Sequence, residues 1–192
     1  MNKKLLETIR CVDGEALNLE YHQRRYENSL KALGQKANYN LKEQLSPPKE
    51  GVFRCRIIYD ESVLEINYYP YEFAPVNSLK VIYDDTIEYS LKYADRARID
   101  ELFSQRTDCD DIVIVKSGFI TDTSKANLAF FDGKEWLTPR HALLQGTTKM
   151  RYVEEKKLIE KEIRLNDIGS FEKIAVLNAM VDFSIVKNGI IL

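Results

Sequence analysis

The sequence predicts an α+β protein with mixed sheets in two domains, and three observations lead there. Short segments rich in β-branched and aromatic residues recur in both halves, helical segments stand between them, and a stretch from Tyr71 to Ser78, carrying Pro75 and little periodicity, divides the chain. The expected division is a small α+β domain over 1–74 and a larger, α/β-barrel-like domain over 75–192. At 192 residues the chain is long enough for this.

The elements follow in order. Leu5 to Val12 reads as a strand, Asp13-Gly14 as a hairpin turn, and Glu15 to Leu17 as a short return strand. Asn18 is the expected N-cap of a helix from Leu19 to Leu33, which Gly34 ends. A second helical stretch near Tyr39 to Leu45 stops at Ser46-Pro47-Pro48, because proline lacks a donor and restricts the residue before it. Val52 to Tyr59 and Val63 to Tyr69 form a hairpin around Asp60-Glu61-Ser62. Beyond the connection, Leu79 to Tyr83 is a strand, Tyr93 to Gln105 a helix, and Asp111 to Lys116 a buried strand. Phe119 to Thr121 follows the Ser117-Gly118 turn, and Leu128 to Phe131 pairs with Lys134 to Leu137 across Asp132-Gly133. A helix starts near Thr147. Strands around Leu158 to Ile163, Ile174 to Leu177 and Phe183 to Val186 complete the chain, with Asn188-Gly189 as a last turn.

Composition excludes several function classes. Apolar residues are 44%, charged residues 30%, and the formal net charge is -2, so the excess of Lys and Arg that a general nucleic-acid binder needs is missing. Lys3 and Lys4 precede Leu5-Leu6, but Glu7, Thr8 and Arg10 interrupt at once, so no leader is read there. No run approaches the roughly 20 apolar residues of a membrane span, and the expected location is the cytoplasm. Cys11, Cys55 and Cys109 are far apart and, with only His22 and His141 beside them, give no metal-ligand spacing; they read as buried, reduced thiols.

Taken alone, a Lys, an Arg or an Asp is a surface charge. Order and spacing are stronger evidence. Glu7-Thr8-Ile9-Arg10 with Asp13-Gly14 precedes His22-Gln23-Arg24-Arg25-Tyr26. Leu91-Lys92-Tyr93-Ala94-Asp95-Arg96 comes next, then Asp110-Asp111 with its apolar strand, Gly118, Thr121-Asp122 and Ser124-Lys125-Ala126-Asn127-Leu128. Thr138-Pro139, Gln145-Gly146-Thr147-Thr148-Lys149 and Asn178-Ala179-Met180 close the series. In this order they resemble the motifs of class IV aminotransferases, the fold-type IV pyridoxal-phosphate (PLP) enzymes, over nearly the whole chain.

The resemblance implies a D-amino-acid aminotransferase-like fold with a shortened N-terminal domain, PLP as cofactor, and a site made of particular residues. Lys92 would bond the cofactor's aldehyde, which requires a neutral amine and so a pKa below the roughly 10.4 of free lysine. Arg25 would grip the phosphate, as an always-charged, forked donor can. Asp122 stands where the family has Glu, one methylene or roughly 1.5 Å shorter, and would hold the ring nitrogen protonated. Thr147 and Thr148 would bind the phosphate at a helix start, with Gly146 allowing close approach. Asn178 and Ala179 belong to a segment closer to the Asn-Ala-Leu of the lyases than to the Ser/Thr pairs of many transaminases. Tyr26 and Lys149 depart from the family's Leu and Arg, and a Gly-rich loop is replaced by Asp60-Glu61-Ser62.

The implied activity is that of 4-amino-4-deoxychorismate lyase, forming 4-aminobenzoate and pyruvate in folate synthesis. A class IV aminotransferase acting on a small branched-chain or D-amino acid is the alternative, and a degenerate PLP-binding homologue the third. A small-molecule substrate and a homodimer are the expected partners. Whether Arg10, Arg56 and Arg96 bind carboxylates or support the scaffold stays open at this level.

Overall fold

The structure is a computed structural model that describes residues 4–191; Met1, Asn2 and Lys3, which entered the leader reading, lie outside the described residues. It divides into two compact units. The first runs to Phe73 and takes in Leu91–Asp95, and the second comprises Ala74–Ser90 and the chain from Arg96 onward.

The first unit is a four-stranded antiparallel sheet carrying a helix. Strands β1 (Leu5–Val12), β2 (Glu15–Ala16), β3 (Val52–Tyr59) and β4 (Leu64–Pro70) are ordered β2-β1-β3-β4. Their period of two sends Leu5, Ile9 and Cys11 of β1, with Cys55, Ile57 and Tyr59 of β3, to one buried face. Helix α1 (Leu19–Ala32) covers that face with His22, Arg25, Tyr26, Ser29 and Leu30, the i, i+3, i+4 stripe of an amphipathic helix. Asn18 stands at the N-cap position, yet its φ of 51° is left-handed and its side chain makes no capping bond. Gly34 ends α1 as expected: with φ at 70° it takes the left-handed turn, Gly34 N–H donates to Lys31 O (3.0 Å) and Gln35 N–H to Leu30 O (2.9 Å). The short helix α2 (Leu41–Gln44) is capped by Asn40, whose side chain accepts from Lys42 N–H.

The expected helix from Tyr93 begins only at Ala97. Leu6 N–H donates to Lys92 O (2.8 Å), Ala94 N–H donates to Lys4 O (2.9 Å), and Leu5 bridges Tyr93 antiparallel. Backbone groups engaged with β1 are lost to a helix ladder, so Lys92 sits on a non-helical segment beside that strand.

The second unit holds two mixed sheets around one core. One contains β5 (Leu79–Tyr83), β6 (Asp111–Lys116), β7 (Phe119–Ile120) and β13 (Ile190–Ile191), in the order β13-β5-β6-β7; the other contains β8 (Asn127–Phe131), β9 (Trp136–Pro139), β10 (Ile159–Lys161), β11 (Lys173–Asn178) and β12 (Asp182–Val186), in the order β10-β9-β8-β11-β12. Leu79, Val81, Val113 and Val115 meet Leu128, Phe130, Leu137 and Val176 in the shared core. Helices α3 (Ala97–Ser104) and α4 (Thr147–Glu154) complete the unit, with a 3-10 turn at Leu165–Ser170. That turn and β13 have no counterpart in the sequence reading, because both are too short for periodicity to register.

Candidate active site

In the first unit the conspicuous feature is a carboxylate among apolar neighbours. Glu7 alternates with Leu5, Ile9 and Cys11, so its side chain is turned toward α1 and is fully buried. His22 and Arg25, on the buried stripe of α1, meet it. Arg25 donates from Nε to Glu7 Oε1 (2.7 Å) and from Nη2 to Oε2 (2.6 Å), and His22 Nδ1 lies 2.7 Å from Oε2. Burial would raise the Glu7 pKa, but the charge and hydrogen bonds of Arg25, aided by His22, outweigh it and hold the carboxyl at about 2. Burial also lowers the His22 pKa, against the pull of Glu7 and with help from the nearby charges of Arg25 and Lys92. The ring is therefore neutral near pH 7 and donates from Nδ1. Lys92 is half-buried, its backbone fixed against β1 as described. Arg24, next to Arg25 on α1, is exposed.

In the second unit the centre is Asp122, just after β7 and buried. Asn127 Nδ2 donates to its Oδ1 (2.7 Å) and Leu144 N–H to its Oδ2 (2.9 Å). Burial is the largest influence on this group and pushes its pKa up to about 6, while those two donors and the charge of Lys149 act in the opposite direction. Asn127 Nδ2 also donates to Leu144 O (2.9 Å). A Cβ at Gly146 would lie 2.0 Å from Asn127 Oδ1, so the glycine is required by a side chain and not by a positive φ.

Helix α4 starts directly after that glycine. Its first internal bond runs from Met150 N–H to Gly146 O (2.9 Å), so the amides of Thr147, Thr148 and Lys149 precede the ladder and point out of the helix start. Thr147, Thr148 and Lys149 are all buried. Lys149 reaches away from this end: its Nζ donates to Pro139 O (2.8 Å) and pairs with Glu160 (2.8 Å), tying α4 to β9 and β10. Thr138, of the Thr-Pro pair, bonds Leu128 O (2.7 Å) and so joins β9 to β8.

Asn178 lies at the turn from β11 to β12. Its Oδ1 accepts from Met180 N–H (2.9 Å) and Val181 N–H (3.0 Å), and its Nδ2 donates to Lys125 O (3.4 Å), which brings this turn and half-buried Ala179 to the segment between Asp122 and Asn127. Arg96 supports the same segment through Ser124 O (2.8 Å). Asp122, Asn127, Gly146, Thr147, Thr148, Asn178 and Ala179 are thus linked within the second unit, while Arg25 and Lys92 belong to the first. Sequence reading assigned no role to Glu7, His22 or Asn127. A signal existed for Glu7, since it interrupts an alternating apolar row at an inward position, and Asn127 stood in the Ala126-Asn127-Leu128 motif without a role attached to it.

This arrangement of residues has relatives. Residues 90–188 match amino-transferase class IV. An uncharacterized protein of Haemophilus influenzae is 38% identical over 182 residues, covering 92% of this chain and 97% of its own. The chain belongs to the class IV aminotransferase family. Among solved structures, a candidate 4-amino-4-deoxychorismate lyase from Haemophilus somnus 129pt is similar at a TM-score of 0.86 and 36% identity, over 94% of this chain and 97% of that one. A hypothetical aminotransferase from Mycobacterium tuberculosis, solved in a PLP-bound form, shares the fold at a TM-score of 0.77 and 16% identity, over 96% and 80% of the two chains. The family explains the fold: α+β with mixed sheets, as the sequence predicts. Among the described residues of this family member, no helix is long and apolar enough to cross a membrane.

Proposed function

We propose that this class IV family member is a PLP-dependent lyase of the 4-amino-4-deoxychorismate type, releasing pyruvate and leaving 4-aminobenzoate. The observation that carries the reading is the 36% identity, over 94% of the chain, to the candidate lyase of Haemophilus somnus. The donor set fits the cofactor. A buried carboxylate whose pKa is raised to about 6 suits a protonated ring nitrogen, and the helix-start amides beside Thr147 and Thr148 suit a phosphate.

The residues then divide the work. Lys92 would bond the cofactor covalently, Arg25, Thr147 and Thr148 would hold its phosphate, Asp122 would pair with its ring nitrogen, and Asn178 and Ala179 would shape the adjoining turn. Bound there, the cofactor supplies an electron sink for a carbanion next to the substrate amine. The Lys92 amine acts as base and acid, taking a proton from the carbon that becomes aromatic and delivering one to the departing three-carbon fragment. Glu7 fixes the Arg25 guanidinium in plane through two bonds. Asn127 and Leu144 do the same for the Asp122 carboxylate. A homodimer working in the cytoplasm goes with this reading, as is usual for the family.

The test is borohydride reduction of the protein with PLP, followed by peptide mapping and an assay for 4-aminobenzoate. We expect label on Lys92, none in Lys92→Ala, and 4-aminobenzoate from 4-amino-4-deoxychorismate. Absence of label on Lys92 overturns the cofactor assignment. Labelled protein that instead yields the pyridoxamine form with D-alanine, a branched-chain amino acid or glutamate is an aminotransferase, and labelled protein inert to every amine is a degenerate homologue.

A further inference from the structure

Helix α4 and the turn between β11 and β12 meet at a contact that the site as described does not use. The turn closes where Asn178 pairs with Asp182 across the two strands. Asn178 fixes its first half, since its Oδ1 accepts from Met180 N–H and Val181 N–H. Asp182 ends it with a φ of 58°, in the left-handed region that glycine favours and that an aspartate enters at some cost. Glycine here would remove that cost, so the aspartate is explained by what its carboxylate holds. Arg151 Nη2 donates to its Oδ1, and the Tyr152 hydroxyl donates to its Oδ2 (3.1 Å). Burial and the charge of Asp182 both raise the Tyr152 pKa, so the phenol remains a donor. Aromatic contacts reinforce the junction: the Arg151 guanidinium lies over the Tyr152 ring, 4.7 Å from its centre, and that ring stacks on Phe183 at 5.7 Å.

Arg151 and Tyr152 follow Thr147 and Thr148 by four residues each, so each lies on the same face of α4 as one of the threonines, about 6 Å along the axis. One rigid turn of helix thus connects the amides at the start of α4 to Asp182. The two ends of this connection differ in what else holds them. Helix α4 has its own ties, from Lys149 to Pro139 O and to Glu160. Beyond the strand pairing at its base, the Asn178–Ala179 turn has only the bond from Asn178 to Lys125 O, which at 3.4 Å is long and weak. The Asp182 contact is therefore needed by the turn more than by the helix. We propose that Asp182 is a positioning residue: through Arg151 and Tyr152 it holds the Asn178–Ala179 turn in place against α4, and so sets how tightly the substrate, rather than the cofactor, is bound. The proposal deepens the lyase reading and rests on it for the site that the turn adjoins.

The experiment compares Asp182→Gly, Asp182→Asn and Arg151→Gln in the full chain. Glycine suits a φ of 58°, so Asp182→Gly folds and separates the carboxylate from the backbone angle. The first readout needs no cofactor: amide hydrogen exchange of Met180 and Val181, followed by NMR. Loss of one charge-assisted and one neutral bond should speed both amides about tenfold in Asp182→Gly, with a smaller change in the same direction in Arg151→Gln. Asp182→Asn keeps an acceptor and tolerates the angle, so it should restore part of the protection. The Val63 amide, held by Asp60 in the first unit, should exchange as in the parent. The second readout is kinetic: in Asp182→Gly, KM for the substrate that the labelled protein turns over should rise about tenfold, with kcat and the Kd for PLP within about twofold of the parent. Turn amides as slow as in the parent overturn the proposal; so do faster amides with KM unchanged, which would leave Asp182 a structural residue, and so does a loss of PLP affinity at unchanged KM. If Lys92 is labelled by PLP and the turn amides do not respond, the role of Asp182 falls and the lyase reading stands. If Lys92 takes no label, or the protein turns nothing over, the lyase reading falls and the exchange rates alone decide whether Asp182 holds the turn.

Discussion

Asp122→Asn offers a quantitative test of the buried carboxylate. In the ligand-free chain burial raises the Asp122 pKa from 3.8 to about 6, so between those values the folded protein binds more protons at this position than the unfolded one. Stability from this group is therefore fully present below pH 3.8 and is lost as pH rises through 6. At roughly 1.4 kcal/mol per pH unit, the loss amounts to about 3 kcal/mol. Asparagine fills nearly the same space and does not titrate. Urea unfolding of parent and variant at closely spaced pH values isolates the contribution as a difference, in which other titrating groups largely cancel. The parent should lose about 2 kcal/mol relative to the variant between pH 4 and pH 7. If PLP binds as proposed, with its protonated ring nitrogen at Asp122, the carboxylate form is favoured and this relative loss should shrink. Parallel profiles for the ligand-free proteins, or a parent that gains on the variant as pH rises, would refute the account of Asp122 as a carboxylate strained by burial.

Two further substitutions probe the supports of the site. Glu7→Gln removes the anion that Arg25 and His22 share, leaving a guanidinium buried without its counter-charge; a loss of about 3 kcal/mol at pH 7 is expected, and a loss under about 1 kcal/mol in urea unfolding would contradict it. Gly146→Ala puts a Cβ 2.0 Å from Asn127 Oδ1, so Asn127 must swing off Asp122 and Leu144 at a cost of about 1–3 kcal/mol. Because the clash is with one side chain, adding Asn127→Ala should make the two effects strongly non-additive; simple additivity would show that the glycine serves something else.

Much of the fold was legible because local chemistry and tertiary context agreed. The alternating rows of β1 and β3, the Asp13-Gly14 and Asp132-Gly133 turns, and the helix ended by Gly34 all carry their structure in short-range pattern. Disagreement arose where a distant segment claimed the backbone. Tyr93 to Arg96 has the composition of a helix start, but hydrogen bonds to Lys4 and Leu6, which lie far away in sequence, hold Lys92 to Ala94 out of a helix. Asn18 has the composition of a cap and the left-handed φ of a turn, because the chain must reverse there from β2 into α1.

Family membership and the order of the motif residues were fixed by sequence alone, since they depend on which residue types follow one another. The environment of those residues was decided only by the tertiary structure. That Glu7 holds Arg25 and His22, and that Asn127 rather than a turn angle demands Gly146, depend on strand register and on how distant elements pack. Register brings together residues tens of positions apart, and a linear pattern does not encode which of them will meet.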